Sequence, residues 1–464
     1  MKADLIIKNG DIITPENHFC GDIAICDGKI SAVAEEISES DEAEVIDASR
    51  KYVFPGAVDS HVHFQLDAGG IVTCEDFECG SRAAAYGGVT TVIDFANQDL
   101  EKGLLHGIRQ RMKEADGNVC IDYGLHSVII RWDENIREEM KSVIEFGVPT
   151  FKMFMIYEKR GMKSDDADFF SALETTKENG ARILVHAESE NVLNLLINRY
   201  LPRKKELGVL AHALSRPNFI EAEAVSRAIT WAEAAGGKLY IVHTSTGEAA
   251  DIIAAARNRG VDVEAETCPQ YLVLNEKVFR DKERGHLYAT CPQLKAPKDN
   301  ARLWKALMHG EISSLATDTC TFNIEQKNRW NGDFTKIPYG MPGVETMVPI
   351  LFTFGVMEGR MDLSRFVSLV SANPSRIMGM YPEKGSLAPG TDADIMIIDP
   401  EKRKTVSADT LATNCDWSPY EGMKMRGFPD YTICRGKVII RNGEFTGDKH
   451  HGNFVVRSGF MGSL

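Results

Sequence analysis

The sequence predicts a mixed α/β protein: a (β/α)8 TIM-like barrel with a small β-sandwich domain assembled from the two ends of the chain. Three observations carry this prediction. Between residues 52 and 385, eight short β-rich runs mostly alternate with helix-like segments, which is the rhythm of an eight-stranded barrel with insertions. No G-x-G-x-x-G follows the first of these runs, which disfavours a doubly wound open sheet. Both ends of the chain, finally, consist of short alternating strands broken by turn signals, so they look alike and are expected to pair.

Taken in order, residues 1–51 form the first part of the sandwich. "LIIKNGDII" carries Asn9-Gly10 and "IAICDGKISAVA" carries Asp27-Gly28, each a two-residue hairpin signal. Residues 52–385 form the barrel, through "VFPGAVDSHVHF", "TTVIDFA", "CIDYGLHSVII", "TFKMFMIY", "RILVHAES", "LYIVHTS", "VDVEAETC" and "ISSLATDTC". Segments such as "DFECGSRAAAYG", "NIREEMKSVIEFG" and "GEAADIIAAARNRG" supply helices between them. Residues 386–445 return to the β rhythm in "GSLAPGTDADIMIIDP" and "YTICRGKVIIRNGEF", the latter with a turn at Asn442-Gly443. Residues 446–464 are polar and glycine-rich and read as an extended tail that reaches a neighbouring subunit, with His450 and His451 solvated.

The totals agree with a two-domain globular protein. A chain of 464 residues is long for one core, and 43% hydrophobic with 26% charged residues is ordinary globular composition. A net charge of −14 argues against nucleic acid or an anionic membrane as the main partner. With neither an apolar leader nor a spanning segment, the expected location is cytoplasmic. Ten cysteines without any C-x-x-C read as reduced, mostly buried thiols rather than a disulfide framework or a cysteine zinc site.

Chemistry in such a barrel belongs at the C-terminal ends of the strands. Those ends carry His61 and His63 on the first run, Lys152 on the fourth, His186 on the fifth, His243 on the sixth and Asp318 on the eighth. Residues i and i+2 of a strand share a face, so His61 and His63 can reach one centre. An isolated strand histidine is more often a hydrogen-bonded core residue, and His126 on the third run is read that way or as a neighbour of the site. Six potential ligands on five strand ends form a more specific pattern. Lys152 sits in an otherwise apolar strand, where an unpaired ammonium is costly. It is either a buried ion pair or an amine that desolvation leaves nucleophilic. Such an amine can add carbon dioxide and become a carbamate, an oxygen ligand for two cations. Four histidines with that bridge suit two divalent ions, zinc foremost. Two such ions about 3.5–4 Å apart generate a hydroxide that is nucleophilic toward a carbonyl at neutral pH. Asp318 beside it is suited to shuttle the proton to a leaving nitrogen.

With these residues in view, the sequence resembles the dihydropyrimidinase/hydantoinase group of the cyclic amidohydrolases over nearly its whole length. The matching stretches include "PGAVDSHVHF", "EDFECGSRAAAYGGVTTVIDF", "FKMFMIY", "HALSRPNFIEAEAVSRAI", "ETCPQYLVL", "ATDTCTF" and "MPGVE". The resemblance implies that His61, His63, N6-carboxylated Lys152 and Asp318 hold one metal. His186 and His243 would hold a second, sharing Lys152. It implies that Tyr157 steadies the oxyanion, and that Cys291 and Tyr339 grip the ring amide through backbone groups. The implied reaction opens a cyclic ureide or imide (a 5-substituted hydantoin or a dihydropyrimidine) to an N-carbamoyl amino acid, in a homotetramer.

Three positions depart from the pattern. Gln65 stands where dihydroorotases carry the arginine that binds a substrate carboxylate, so a neutral ring is expected to meet Gln65 instead. Thr319 replaces the usual histidine after Asp318, and Tyr339 replaces the usual asparagine before Gly340. Allantoinase chemistry and a non-catalytic assembly protein on the same scaffold are the alternatives. The second is disfavoured because all six ligands are present.

Overall fold

The computed structural model describes residues 3–39 and 42–459. Eight parallel strands form the central sheet: Ala57–Asp59, Val89–Asn97, Asp122–Val128, Thr150–Phe154, Arg182–His186, Leu239–Ile241, Val263–Thr267 and Ser314–Leu315. Seven lie within the runs read from the sequence, and Val89–Asn97 extends one residue beyond its run at each end. Neighbours pair in chain order. The first and last are joined beyond their ends by a parallel bridge between Val62 and Thr319, where the His63 N–H donates to the Thr319 carbonyl at 2.9 Å. The sheet is therefore a closed barrel, and its second and third strands are buried almost throughout, as a parallel sheet covered on both faces requires.

The predicted helices form where side-chain caps start them. Asp76 accepts from the Cys79 N–H at the head of Phe77–Tyr86, Asp133 from Ile136 at Glu134–Glu145, and Thr246 from Ala249 at Gly247–Asn258. Among the described residues no helix is long and apolar enough to cross a membrane. All ten cysteines are free, and seven are buried.

The two ends of the chain do pair. They build one continuous nine-stranded sheet in which Tyr52–Pro55 lies between Leu5–Ile13 and Ile395–Ile398. Its apolar core, with Ile7, Ile23, Ile25, Ile395, Ile397 and Ile433, is separate from that of the barrel. Tyr52–Pro55 thus belongs to this sheet, and the barrel begins after Gly56. A Cβ at Gly56 would stand 2.2 Å from Thr90 Oγ1, so only glycine lets the chain pass there.

Two of the three hairpin signals are turns: Asp27-Gly28 joins His18–Cys26 to Lys29–Ala34, and Asn442-Gly443 joins Lys437–Arg441 to Glu444–Phe445. Asn9-Gly10 is not. It lies inside Leu5–Ile13 as a bulge, where the register against His18–Cys26 shifts. Asn9 takes φ 57°, and its N–H donates to Asp22 Oδ1 at 2.8 Å. The turn-type dihedral is thus spent on a kink that a distant carboxylate secures.

The tail also differs from expectation in its described part, which lies against its own barrel. Tyr123 donates to Asn453 O, and Val455 donates back to Tyr123 O. Arg457 is buried, with its guanidinium on the carbonyls of Leu125 and Met378. Residues 460–464 of the expected tail lie outside the described residues. His450 is exposed as expected, but His451 is partly buried and bonds the Cys434 carbonyl at 2.8 Å.

A buried ion cluster joins the β sheet to the barrel. Lys384 Nζ lies 2.5 Å from Asp122, 2.9 Å from Asp392 and 2.9 Å from Asp394. Burial alone would lower the lysine, but these carboxylates outweigh it and raise it well above the ordinary range. Lys384→Met would leave Asp122 and Asp392 with only Arg435 and Lys29 at the edge of the cluster, and Asp394 without its lysine, and is expected to cost about 3–5 kcal/mol. The urea midpoint of the purified protein measures this, and an unchanged midpoint contradicts it.

Candidate active site

The strand ends bring five of the six predicted ligands into a close set around the barrel axis, with Lys152 beside them. His63 Nε2 lies 3.1 Å and His61 Nε2 3.3 Å from the same oxygen of Asp318. The ring of His243 lies 4.5 Å from that of His186 and 5.5 Å from that of His61. Phe95, from the second barrel strand, forms a platform beneath them, with its ring 4.7 Å from both His61 and His63. Lys152 Nζ stands 5.5 Å over Phe95 and 5.2 Å over Phe154. Two of these residues sit on strained backbone: His243 has φ 39° and Asp318 φ 51°. Left-handed dihedrals in non-glycine residues persist where the surroundings hold them, and such strain gathers at functional sites.

Carboxylates outside this ring hold it in place. Glu266 is fully buried and meets His61 Nδ1 at 2.5 Å, the Tyr240 hydroxyl at 2.8 Å and the His243 N–H at 3.1 Å. Its bond to Nδ1 leaves Nε2 of His61 facing inward, toward Asp318. Asp59 accepts from the N–H of Thr317 at 3.0 Å, from the Thr317 hydroxyl at 2.6 Å and from the His61 N–H at 3.2 Å. Glu188 accepts from His186 Nε2 at 2.7 Å.

The electrostatics follow from burial. It pushes Lys152 down to about 8 and holds His61 and His243 well below the ordinary imidazole range. Burial would raise Asp318, but the neighbouring His61 and His63 outweigh it and keep the carboxyl below its usual range. The site therefore offers neutral imidazoles, an ionised carboxylate and an amine with much of its basicity removed.

These are the protonation states that a divalent cation takes as ligands. Two further observations fit a metal. His243 Nδ1 is buried with no hydrogen-bond partner. Lys152 is 2% exposed, yet among the described residues no carboxylate oxygen lies within 4.0 Å of its Nζ. His61, His63 and Asp318 present donor atoms all within 4.8 Å of one another, as do His186, Glu188 and Cys291.

The remaining predicted residues line one side of this centre or its rim. Tyr157, at φ 76°, has its ring 5.2 Å from His186 and packs in the apolar cluster that contains Cys291. Cys291 is buried and precedes a cis proline. Tyr339 is partly buried, 5.0 Å from the His212 ring and under the guanidinium of Arg216. Gln65 is exposed, at φ 45°, and its N–H donates to Glu75 O at 2.7 Å. His126 is a core residue: its ring bonds Thr150 Oγ1 and Ser60 O.

Sequence reasoning passed over Glu266, Glu188 and Asp59. The signal that singled out Lys152, a charge in a strand of the barrel, was present at Glu266. The i, i+2 spacing that joined His61 to His63 also joins His186 to Glu188 and Asp59 to His61.

Comparisons with known proteins give the family and the relatives that the chain as a whole is similar to. Residues 52–439 match the Amidohydrolase family. The chain is 41% identical to the D-hydantoinase of Geobacillus stearothermophilus, over 98% of this chain and 96% of that one. It is 38% identical to the D-phenylhydantoinase of Escherichia coli O1:K1 / APEC, over 98% and 99%. The solved structure of dihydropyrimidinase from Brevibacillus agri NCHU1002 superposes with a TM-score of 0.96 at 37% identity, covering 99% of each chain.

Glu266→Gln removes the charge that orients His61 and is expected to weaken divalent-metal retention about 10–100-fold. Competition with a chelator, followed by metal analysis, checks this; retention equal to wild type contradicts it.

Proposed function

The chain belongs to the amidohydrolase family, and on that premise we propose that it opens the ring amide of a cyclic ureide or imide, a 5-substituted hydantoin or a dihydropyrimidine, to an N-carbamoyl amino acid. The names of its relatives support this substrate class. The observation that carries the reading is the buried set of strand-end donors around Lys152, an amine with no carboxylate oxygen within 4.0 Å among the described residues.

In this proposal His61, His63, Lys152 and Asp318 hold one divalent ion, and His186 and His243 hold a second with Lys152 between them. Lys152 serves as its N6-carboxylate, which replaces a buried cation with two ligand oxygens and removes the penalty of an unpaired ammonium. Zinc suits this donor set. When bound, the pair supplies a nucleophile at neutral pH and polarises the carbonyl under attack.

The residues of the chain do the rest. Asp318, held ionised by His61 and His63, takes the proton of the attacking water and returns it to the ring nitrogen as the carbon–nitrogen bond breaks. The product is a carboxylate with a neutral carbamoyl group. Burial, with Cys291 and Glu188 beside it, lifts Tyr157 well above the ordinary phenol range, so its hydroxyl stays a donor to the developing oxyanion. Cys291 and Tyr339 line the ring-amide side, and Gln65 stands at the rim, where a neutral amide suits an uncharged ring. A homotetrameric assembly, which rests on the resemblance, and a cytoplasmic location belong to the same proposal.

Side-by-side rates on phenylhydantoin, dihydrouracil and allantoin test the substrate class. Hydrolysis of either of the first two above allantoin is expected; allantoin alone as substrate overturns the choice. Metal analysis is expected to find about two divalent ions per chain. Lys152→Ala is expected to lower both metal content and kcat by at least about 100-fold, and a metal-replete, active Lys152→Ala would sink the ligand assignment.

A further inference from the structure

We infer that Glu188 and Cys291 are positioning residues that lock Tyr157 and His186 into one register along one wall of the site, with Tyr157 packed against Cys291 and both Cys291 and His186 hydrogen-bonded to Glu188. The inference rests on the roles proposed above for Tyr157 and His186, and extends them to two side chains that have none in that scheme.

The run starts at Tyr157, which packs in the apolar cluster that contains Cys291. The thiol in turn donates to Glu188 Oε2 at 3.0 Å. The same oxygen accepts from His186 Nε2 at 2.7 Å. One carboxylate oxygen therefore serves both the histidine and the arm that reaches the tyrosine. The other oxygen faces Arg216 Nε at 3.8 Å. Arg216 supplies the countercharge that a carboxylate at 1% exposure needs, and is itself fixed by His212 Nδ1 at 3.0 Å.

Each end of the run needs such a hold. At His186, the bond from Nε2 to Glu188 decides that Nδ1 is the nitrogen free to face the centre. At Tyr157, the backbone sits at φ 76°, a region tyrosine seldom occupies, at the start of a short exposed turn, Glu158–Arg160. The Tyr157 carbonyl accepts from the N–H groups of Arg160 and Met162, so the backbone is pinned. What remains to be fixed is the ring, which meets Phe154, the Arg160 guanidinium and the Cys291 cluster. A thiol suits the middle position because it donates to Glu188 and offers the tyrosine an apolar, polarisable neighbour. A serine hydroxyl keeps the donor with a shorter reach, and alanine does not.

The experiment compares wild type, Cys291→Ala, Cys291→Ser and Glu188→Gln by two readouts: kcat and KM on phenylhydantoin, and the rate at which dipicolinate strips zinc from the loaded protein. Cys291→Ala is expected to lower kcat about 10–100-fold with KM near wild type and stripping unchanged. Cys291→Ser is expected to recover most of that loss. Glu188→Gln is expected to lower kcat and to speed stripping about 10-fold or more. A wild-type kcat in Cys291→Ala, or a raised KM with unchanged kcat, overturns the inference; so does wild-type stripping in Glu188→Gln. Should Glu188→Gln fail to fold, the alanine–serine pair at Cys291 decides. If wild type opens no cyclic ureide, the proposed reaction fails separately, and the stripping rates alone judge the positioning role.

Discussion

Closure of the barrel is the constraint on which the rest of the molecule depends. Asp59 and Thr317 are 258 positions apart, yet the Asp59 carboxylate takes both the N–H and the hydroxyl of Thr317. The same carboxylate holds the His61 N–H, so the seam of the barrel and the first inward-facing histidine share one anchor. Hydrogen bonds to a charged group contribute about 1.5–3 kcal/mol each, and a buried carboxylate left without them is expensive. Burial lifts Asp59 to about 7 even with the Thr317 and His61 donors pulling it down, so the interior strongly resists the charge that these donors stabilise. Asp318 follows one residue after Thr317, so the seam that shuts the barrel also delivers the oxygen that His61 and His63 face.

The centre is built as two shells of opposite tendency. Inside lie imidazoles held neutral and an amine of weakened basicity, all of which lose protons readily because water is excluded. Outside lie Glu266, Glu188 and Asp59, each bonded to an inner residue. Burial raises Glu266 to about 8, opposed by Tyr240 and Lys152, and positive charge within the ring would return it to the carboxylate. The inner shell provides donor atoms; the outer shell decides which atom of each residue points inward. Phe95 supports the arrangement from below without offering a competing hydrogen bond.

Much of this was legible in the sequence, for reasons that can be named. The eight barrel strands were readable because a parallel strand buried on both faces needs an apolar, β-branched run. The donors His61, His63, Lys152, His186, His243 and Asp318 were readable because the barrel assigns chemistry to strand ends, so position in the run did the sorting. Asn9-Gly10 was misread because a two-residue turn signal is local, whereas its bulge is set by Asp22 and by the strand that crosses Gly10; a Cβ there would stand 2.5 Å from Val53. His451 was read as solvated because nothing nearby in sequence announces the Cys434 carbonyl it meets. The outer carboxylates were hidden for a related reason. Acidic residues are common on surfaces, and only the fold reveals that Glu188, Glu266 and Asp59 are not on one.

The interleaved sheet has a consequence for how the protein is made. Tyr52–Pro55 stands between Leu5–Ile13, available at once, and Ile395–Ile398, which a ribosome produces roughly 340 residues later. At about 5–20 residues per second, that strand waits roughly 20–70 s with one edge unpaired. Through that interval the nascent chain carries an open, apolar strand edge of the kind that invites aggregation. The barrel closes in the same window, since its last strand also emerges late. Synthesis rate and chaperone supply thus bear on how long this edge stays exposed.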